Sequence, residues 1–255
     1  LALVNAHHFV ALFLGLEILS IALYALIAYL RQRSGALEAG TKYLIMASTS
    51  SAFLLFGMAL IYNAVGTMEF TIMAARLAST KILDPLFIGG LAIMIVGIGF
   101  KLALVPFHLW TPDVYQGAPA PVTALIATIS KGSMFGVWLR FYTVLDGGQY
   151  ASLVTIFSVV AMASMLLGNL LALLQDNVKR ILAYSSVAHL GYILVGFLAS
   201  SNLGAQAATF YLIAYFITTL GSFGIIAVMS SGGEEDAEDI SNYEGLFWTR
   251  PLLAM

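Results

Sequence analysis

The sequence predicts an all-α, polytopic membrane bundle of about seven spanning helices, and three observations predict it. Of 255 residues, 60% are hydrophobic and 9% charged. A soluble domain carries roughly 25% charged residues, so this chain has too little polar surface to cover a globule. The apolar residues fall in seven runs, near 3–30, 43–66, 85–108, 119–143, 150–174, 180–200 and 204–229. About 20 residues suffice to cross a hydrocarbon core of roughly 30 Å. Finally, only helix bundles and closed barrels satisfy the backbone in lipid, and these runs are too long and too continuously apolar for barrel strands.

The connectors justify the division. RQRSGALEAGTK (31–42) is short and polar. TMEFTIMAARLASTKILDP (67–85) is half-polar, with Phe70, Met73 and Leu77 at helical spacing, and reads as a helix along the membrane interface. WTPDVYQGAPAP (110–121) is a stiff reversal: four of the six prolines lie between 106 and 121. LDGGQ (145–149) is a tight loop and QDNVKR (175–180) a charged one. SGGEEDAEDISNYEG (231–245) holds six of the thirteen acidic residues and reads as a solvated loop. Arg31, Arg33, Lys42, Lys179, Arg180 and Arg250 fall on one side, and Arg76, Lys81 and Arg140 on the other. That bias puts 31–42 and 175–180 in the cytoplasm.

Composition also limits function. A net charge of −2 argues against a nucleic-acid partner. With no cysteine, disulfides, thiolate metal sites and cysteine-ligated iron–sulfur clusters are excluded from this segment. Leu1 opens no charged n-region and no cleavage site follows, so no signal peptide is expected. RPLLAM (250–255) starts a new apolar run, so a piece of a longer protein is expected.

Once the connectors are set aside, few ionisable groups remain in the spans. Glu17 is central in the first, Lys101 lies in the second half of the third, Lys131 is the middle of the fourth, and His189 the middle of the sixth. A charge at a helix centre costs about 2.5–3.5 kcal/mol, and three together on the order of 8–10 kcal/mol, comparable to a domain's whole stability. Such residues normally have a role. Glu17 and Lys101 could form a structural ion pair, but Lys131 then lacks a carboxylate, since the spans hold no second one. The chemistry open to these groups is proton transfer. A neighbouring carboxylate favours the charged form of an amine and burial favours the neutral form, so Glu17–Lys101 would hold its proton while paired and release it when separated. Gly97, Gly99 and Pro106 would loosen the third helix around Lys101, as broken membrane helices do where backbone lines a cavity. His7, His8 and His108 lie near run ends and read as interfacial. Tyr184, Ser185 and Ser186 either line a wet path or bond neighbouring helices.

FKLALVPFHLWTPDVYQGAPAPVTALIATISK (100–131) closely resembles the core of the subunit N family of bacterial respiratory complex I, the proton-translocating NADH–quinone oxidoreductase. LEILSIALYALIAY (16–29), DNVKRILAYSSVAHLGYILVG (176–196) and YEGLFWTRPLLAM (243–255) fit it in the same order. The PFHLW form (106–110) is similar to the bacterial rather than the chloroplast subunit. The resemblance implies an antiporter-like fold of two inverted repeats in a single membrane domain over 1–255, with the first repeat ending at 143 and the second starting at 150. It implies that Glu17 pairs with the broken-helix Lys101, that Lys131 is the central relay and that His189 continues the path. A further lysine on a later broken helix would follow Met255, so this piece could not pump alone. The family subunit carries no cofactor. NAD, FMN, iron–sulfur clusters and quinone belong to the rest of the complex, whose other membrane subunits, with the bilayer and internal water, are the implied partners. The location implied is the bacterial inner membrane.

Three rivals are weighed. A subunit of a Na⁺/proton antiporter, or of a membrane-bound hydrogenase, belongs to the same superfamily. A seven-helix retinal pump needs a Schiff-base lysine in its last helix, and 204–229 contains no lysine. A purely structural subunit would use the buried charges for packing alone.

Overall fold

Each spanning run becomes a helix whose ends are set by local chemistry. The computed structural model describes residues 2–33, 35–79, 84–199, 202–230 and 236–254. Helix α1 (Phe9–Ile27) starts at His8, whose Nδ1 accepts the Val10 amide at 3.2 Å. Helix α2 (Ala36–Val65) is bracketed by Gly35 and Gly66 at φ 79° and 75°, a conformation glycine adopts without a Cβ penalty. It starts at Ala36 rather than 43, so most of the polar 31–42 stretch is helical. The amphipathic stretch forms α3 (Phe70–Ser79). Helix α4 (Pro85–Leu102) is capped by Asp84, which accepts the Leu86 amide at 2.7 Å, with proline at its first position. The short α5 (Trp110–Gly117) precedes α6 (Ala120–Leu125), which passes through a π turn (Ile126–Ser130) into α7 (Lys131–Val144). Helices α8 (Ala151–Ala172), α9 (Val178–Leu198) and α10 (Asn202–Met229) follow, and short turns over Ile240–Tyr243, Leu246–Thr249 and Pro251–Ala254 complete the described chain. Among the described residues, seven helices are long and apolar enough to cross a membrane, α6 to α7 counting as one. This is the predicted helix bundle.

The connectors alternate between two faces. On the first, the Phe9 amide donates to the Met68 carbonyl and the Phe70 amide to the His7 carbonyl, both at 3.0 Å. Helix α3 docks there. Phe70 and Met73 are buried, and the Phe70 ring lies 5.4 Å from Phe9 and 5.0 Å from Phe141. Its apolar side thus packs on the bundle rather than on lipid. Arg140 approaches His7 on the same face, while Lys81 lies outside the described residues. The opposite face gathers Arg33, Lys42, Asp113, Lys179, Arg180, Asp236 and Glu238.

Small residues set the closest helix contacts. A Cβ at Gly57 would meet the Gly90 carbonyl at 2.6 Å, and one at Gly168 would meet the Ala188 amide nitrogen at 2.7 Å. These glycines let α2 approach α4 and α8 approach α9, as small residues do where lipid supplies no hydrophobic drive. The outer faces of α1, α8 and α10 expose Ile18, Ile21, Leu166, Leu170, Phe210 and Ile217, side chains suited to lipid. The spans that carry Lys101 and Lys131, α4 and α6–α7, are the most enclosed.

The third span is broken, as predicted, but earlier and by a different device. Helix α4 stops at Leu102 instead of 108, because Ala103 takes a left-handed conformation at φ 58°. Turns lead through a cis Val105–Pro106 peptide to α5. Gly97 and Gly99 lie inside the continuous part of α4. A Cβ at Gly97 would meet the Ser50 carbonyl at 2.9 Å, and one at Gly99 the Phe107 ring at 2.6 Å. Both are small so that α2 and the broken segment can pack against α4.

Candidate functional site: buried lysines joined to hydroxyls

Lys101 lies in the last turn of α4 and is 3% exposed. A cation near a helix C-terminus meets the negative end of the macrodipole, so the break itself favours an ammonium there. Its Nζ donates to Ser20 Oγ and to the Tyr43 hydroxyl, each at 2.9 Å, and lies 5.4 Å from the Tyr43 ring centroid. Ser20 spends its own proton on the Leu16 carbonyl at 2.7 Å, which leaves its oxygen free to accept. The expected direct Glu17–Lys101 pair is not formed. Among the described residues no ion pair within 4.0 Å joins them, and the Glu17 carboxylate instead accepts the Ser51 hydroxyl of α2. Glu17 and Ser20 are one turn apart on α1 but not in line. The serine meets α4 and the carboxylate meets α2.

Lys131 is fully buried where the π turn enters α7. Its Nζ donates to Ser186 Oγ of α9 and lies 5.4 Å from the Tyr115 ring centroid. Ser186 is also 2.9 Å from the Tyr215 hydroxyl and 3.4 Å from that of Tyr115. The Tyr215 hydroxyl is 3.0 Å from the Ala127 carbonyl, inside the π turn. Helix α10 can come this close because Gly132 has no side chain: a Cβ there would lie 2.1 Å from Phe216 Cζ.

His189 follows one turn after Ser186 on α9, half-buried, with Nδ1 2.9 Å from the Tyr211 hydroxyl and its ring 5.4 Å from that of Tyr215. Tyr211 and Tyr215 are four residues apart on α10, so α9 and α10 are joined by two polar rungs, Ser186–Tyr215 and His189–Tyr211. Tyr192 lies beyond, its hydroxyl accepting from Asn169 of α8 at 3.0 Å.

Helices α4 and α7 pack antiparallel, as the Pro-rich reversal predicted. An aromatic cluster packs beside Lys101 through Tyr43. The Trp110 ring sits 5.1 Å from both Tyr43 and Phe100, and its Nε1 donates to the Phe100 carbonyl at 3.0 Å. Of the three hydroxyl residues singled out in 184–186, Ser186 is the one that reaches a lysine. Tyr184 meets the ring of His108, which is buried. Ser20, Tyr43, Tyr115, Tyr211 and Tyr215 were not anticipated. Their signal was available: hydroxyls inside apolar runs, with the two α10 tyrosines at helical spacing.

The charged face carries a second cluster. Lys179, 1% exposed, donates to the carbonyls of Gln116 and Ala118 at 2.7 Å each, to Asp236 at 2.9 Å and to Glu238 at 3.1 Å. Asp236 also takes Arg33 at 2.7 Å and the Ala120 amide at 3.1 Å. Asp113 pairs with Lys42 and Arg180, each at 2.8 Å. Burial raises the Asp236 carboxyl, but Lys179 and Arg33 outweigh it and hold the group below the usual carboxylate range. At Asp113, too, burial acts upwards and is overcome by Lys42 and Arg180. A cavity of about 310 Å³ opens among Arg33, Glu38, Lys42, Asp113, Gln116 and Asp236. The acidic stretch is therefore not simply solvated, since Asp236 is 4% exposed. Glu234 and Glu235 lie outside the described residues.

Seven apolar helices enclosing Lys101 and Lys131, which donate to hydroxyls and lie over aromatic rings, define a polytopic membrane protein with ionisable groups set between its helices. The chain belongs to the NADH:quinone oxidoreductase/Mrp antiporter transmembrane family, whose model matches residues 6–255. It is similar to a chain of respiratory complex I from Thermus thermophilus with bound aureothin, at 34% identity and a TM-score of 0.83 over 99% of this chain and 53% of that one. It is also similar to a chain of the membrane-bound sulfane sulfur reductase, an archaeal respiratory membrane complex, at 31% identity and TM-score 0.86 over 98% and 50%. A third likeness is to the Mrp complex from Dietzia sp. DQ12-45-1b, at 26% identity and TM-score 0.85 over 97% and 46%. The chain thus spans about half the length of these relatives.

Proposed function

We propose that the chain is the core of the N-type membrane subunit of a bacterial NADH–quinone oxidoreductase, and that it carries protons through buried side chains and water. Quinone reduction elsewhere in the complex shifts the surroundings of Glu17 and Lys101, a proton moves between Lys101 and Lys131, and the path continues towards His189. One observation carries the reading: Lys131 is fully buried and, among the described residues, has no carboxylate partner, while it joins the Ser186 and Tyr215 hydroxyls, with the His189 ring 5.4 Å from that of Tyr215. A structural charge would instead be paired. In this reading NAD, FMN, iron–sulfur clusters and quinone are bound by other subunits. The chain sits in the cell membrane with its charged face to the cytoplasm, beside other membrane subunits, and spans the end of one inverted repeat and the start of the next.

Because Glu17 and Lys101 meet different hydroxyls, Glu17 acts on Lys101 through the field between α1, α2 and α4 rather than by direct contact. The test is Lys131→Met, Lys101→Met and Glu17→Gln in the full-length subunit, assembled in its complex and reconstituted in liposomes. A lowered proton-to-electron ratio is expected, and normal ratios in all three would overturn the reading. The comparable likeness to the Mrp complex favours one second reading, a cation/proton antiporter subunit of the same superfamily. A Na⁺ gradient driving proton movement without electron transfer would select it.

A further inference from the structure

The hydroxyls around Lys131 have fewer protons than acceptors. Tyr215 has one hydroxyl proton and, besides the Thr219 hydroxyl one turn on, two acceptors in reach, the Ala127 carbonyl at 3.0 Å and Ser186 Oγ at 2.9 Å. Ser186 likewise has one proton, and its oxygen faces Lys131, Tyr215 and, more distantly, Tyr115. An ammonium can only donate, whereas a neutral amine offers a lone pair. The charge on Lys131 therefore decides how the two hydroxyls point.

With Lys131 charged, Lys131 donates to Ser186, Ser186 donates to the Tyr215 oxygen, and Tyr215 donates to the Ala127 carbonyl. With Lys131 neutral, Tyr215 donates to Ser186 and Ser186 donates to the Lys131 nitrogen. Every hydroxyl proton finds an acceptor in both arrangements, and apart from the one proton on Lys131 the two differ only by rotation about C–O bonds. The π turn contributes the second acceptor, because its wider winding brings the Ala127 carbonyl to Tyr215 at the turn leading into Lys131. Gly132 contributes the approach of α10 that places Tyr215 there.

We propose that Tyr215 and Ser186 form a reversible two-hydroxyl wire that loads Lys131 from the α10 side, with Tyr215 as its outer relay residue. A proton delivered to the Tyr215 oxygen displaces the tyrosine's own proton to Ser186, and the serine's proton passes to the neutral Lys131 amine. The balance is one proton taken up at Tyr215 and one gained by Lys131, with both hydroxyls left intact and reversed. Return to the loading arrangement requires Lys131 to lose a proton elsewhere and both hydroxyls to rotate back.

The inference rests on the proton-carrying reading and is tested in the same assembled, reconstituted complex. Tyr215→Phe keeps the ring against His189 but removes the relay oxygen. Proton translocation is expected to slow about tenfold or more, with a solvent H₂O/D₂O effect that differs from the wild type because the transferred hydroxyl proton is gone. A wild-type rate with a wild-type isotope effect would overturn the wire. Should Tyr215→Phe not assemble, Ser186→Ala cuts the same wire at its inner hydroxyl, and wild-type translocation in that variant overturns the proposal equally. Lys131→Met separates the two levels. If it pumps normally, the wire has nothing to load and fails, and if Lys101→Met and Glu17→Gln are normal as well, the functional reading fails with it. If it is silent while Tyr215→Phe behaves as wild type, only the wire fails.

Discussion

Ser20 Oγ accepts a hydrogen bond from Lys101 at 2.9 Å, while Glu17, one turn earlier on the same helix, is engaged by Ser51 of α2. The buried ammonium of Lys101 is thus solvated by a serine and a tyrosine rather than neutralised by a carboxylate. Hydrogen bonds to charged groups contribute about 1.5–3 kcal/mol. Ser20→Ala is therefore expected to lower proton translocation to a degree comparable with Glu17→Gln, although it removes no charge. Side-by-side rate measurements in proteoliposomes check this, and an undisturbed Ser20→Ala enzyme would mean that the serine does not support the charged form.

A stability prediction follows from the charged face. Lys179 and Asp236 are almost completely enclosed, and truncating one partner of a buried ion pair costs roughly 3–5 kcal/mol. Lys179→Met leaves Asp236 with Arg33 alone as its cation and releases the two carbonyls of the 116–118 connector. A lower thermal midpoint is expected for the purified protein in detergent. The double variant Lys179→Met/Asp236→Leu should regain part of the loss, because the enclosed carboxylate leaves with the lysine and the remaining cation, Arg33, has a side chain 20% exposed.

The same carboxylate predicts an acid limb. Asp236 is held below its ordinary range in the folded state, so its contribution is complete above the unfolded value of about 3.9. It is lost as pH falls from there through the lower folded value. Unfolding midpoints measured from neutral pH downwards should drop below about pH 4, and Asp236→Asn should flatten that limb.

Neighbouring glycines give a packing test. A Cβ at Gly90 would meet Ile61 Cγ1 at 2.8 Å and the Gly57 carbonyl at 2.9 Å, whereas one at Gly89 meets nothing within 4 Å. Gly90→Ala is expected to push α2 from α4 and lower the thermal midpoint. Gly89→Ala, in open space on the same turn, should be neutral or stabilising by about 0.5–1 kcal/mol through helix preference. Equal midpoints for the two variants would contradict the close α2–α4 approach.

The helices were legible because apolar run length is a strong signal, and Lys101, Lys131 and His189 stood out because charge is costly inside such runs. What the sequence did not reveal is how those residues are partnered. Tyr215 and Ser20 carry no charge, so their presence in an apolar span raises no alarm, yet they supply the hydrogen bonds. The direct Glu17–Lys101 contact was expected because Glu17 is the one carboxylate in the spans, but helical phase on α1 turns Ser20 to α4 and Glu17 to α2. Asp236 resembled any loop carboxylate. Its burial depends on Lys179 and Arg33, which are remote in the chain and meet it only once the connectors fold onto one face.

The early stop of α4 at Leu102 has a wider meaning. By ending the helix one residue after Lys101, the backbone itself supplies the negative pole that the lysine faces. That part of the site's electrostatics is carried by peptide dipoles and is indifferent to which side chains surround it. A carboxylate nearby can then be devoted to modulation, since the task of keeping a cation tolerable in the bilayer interior has already been shared by the fold.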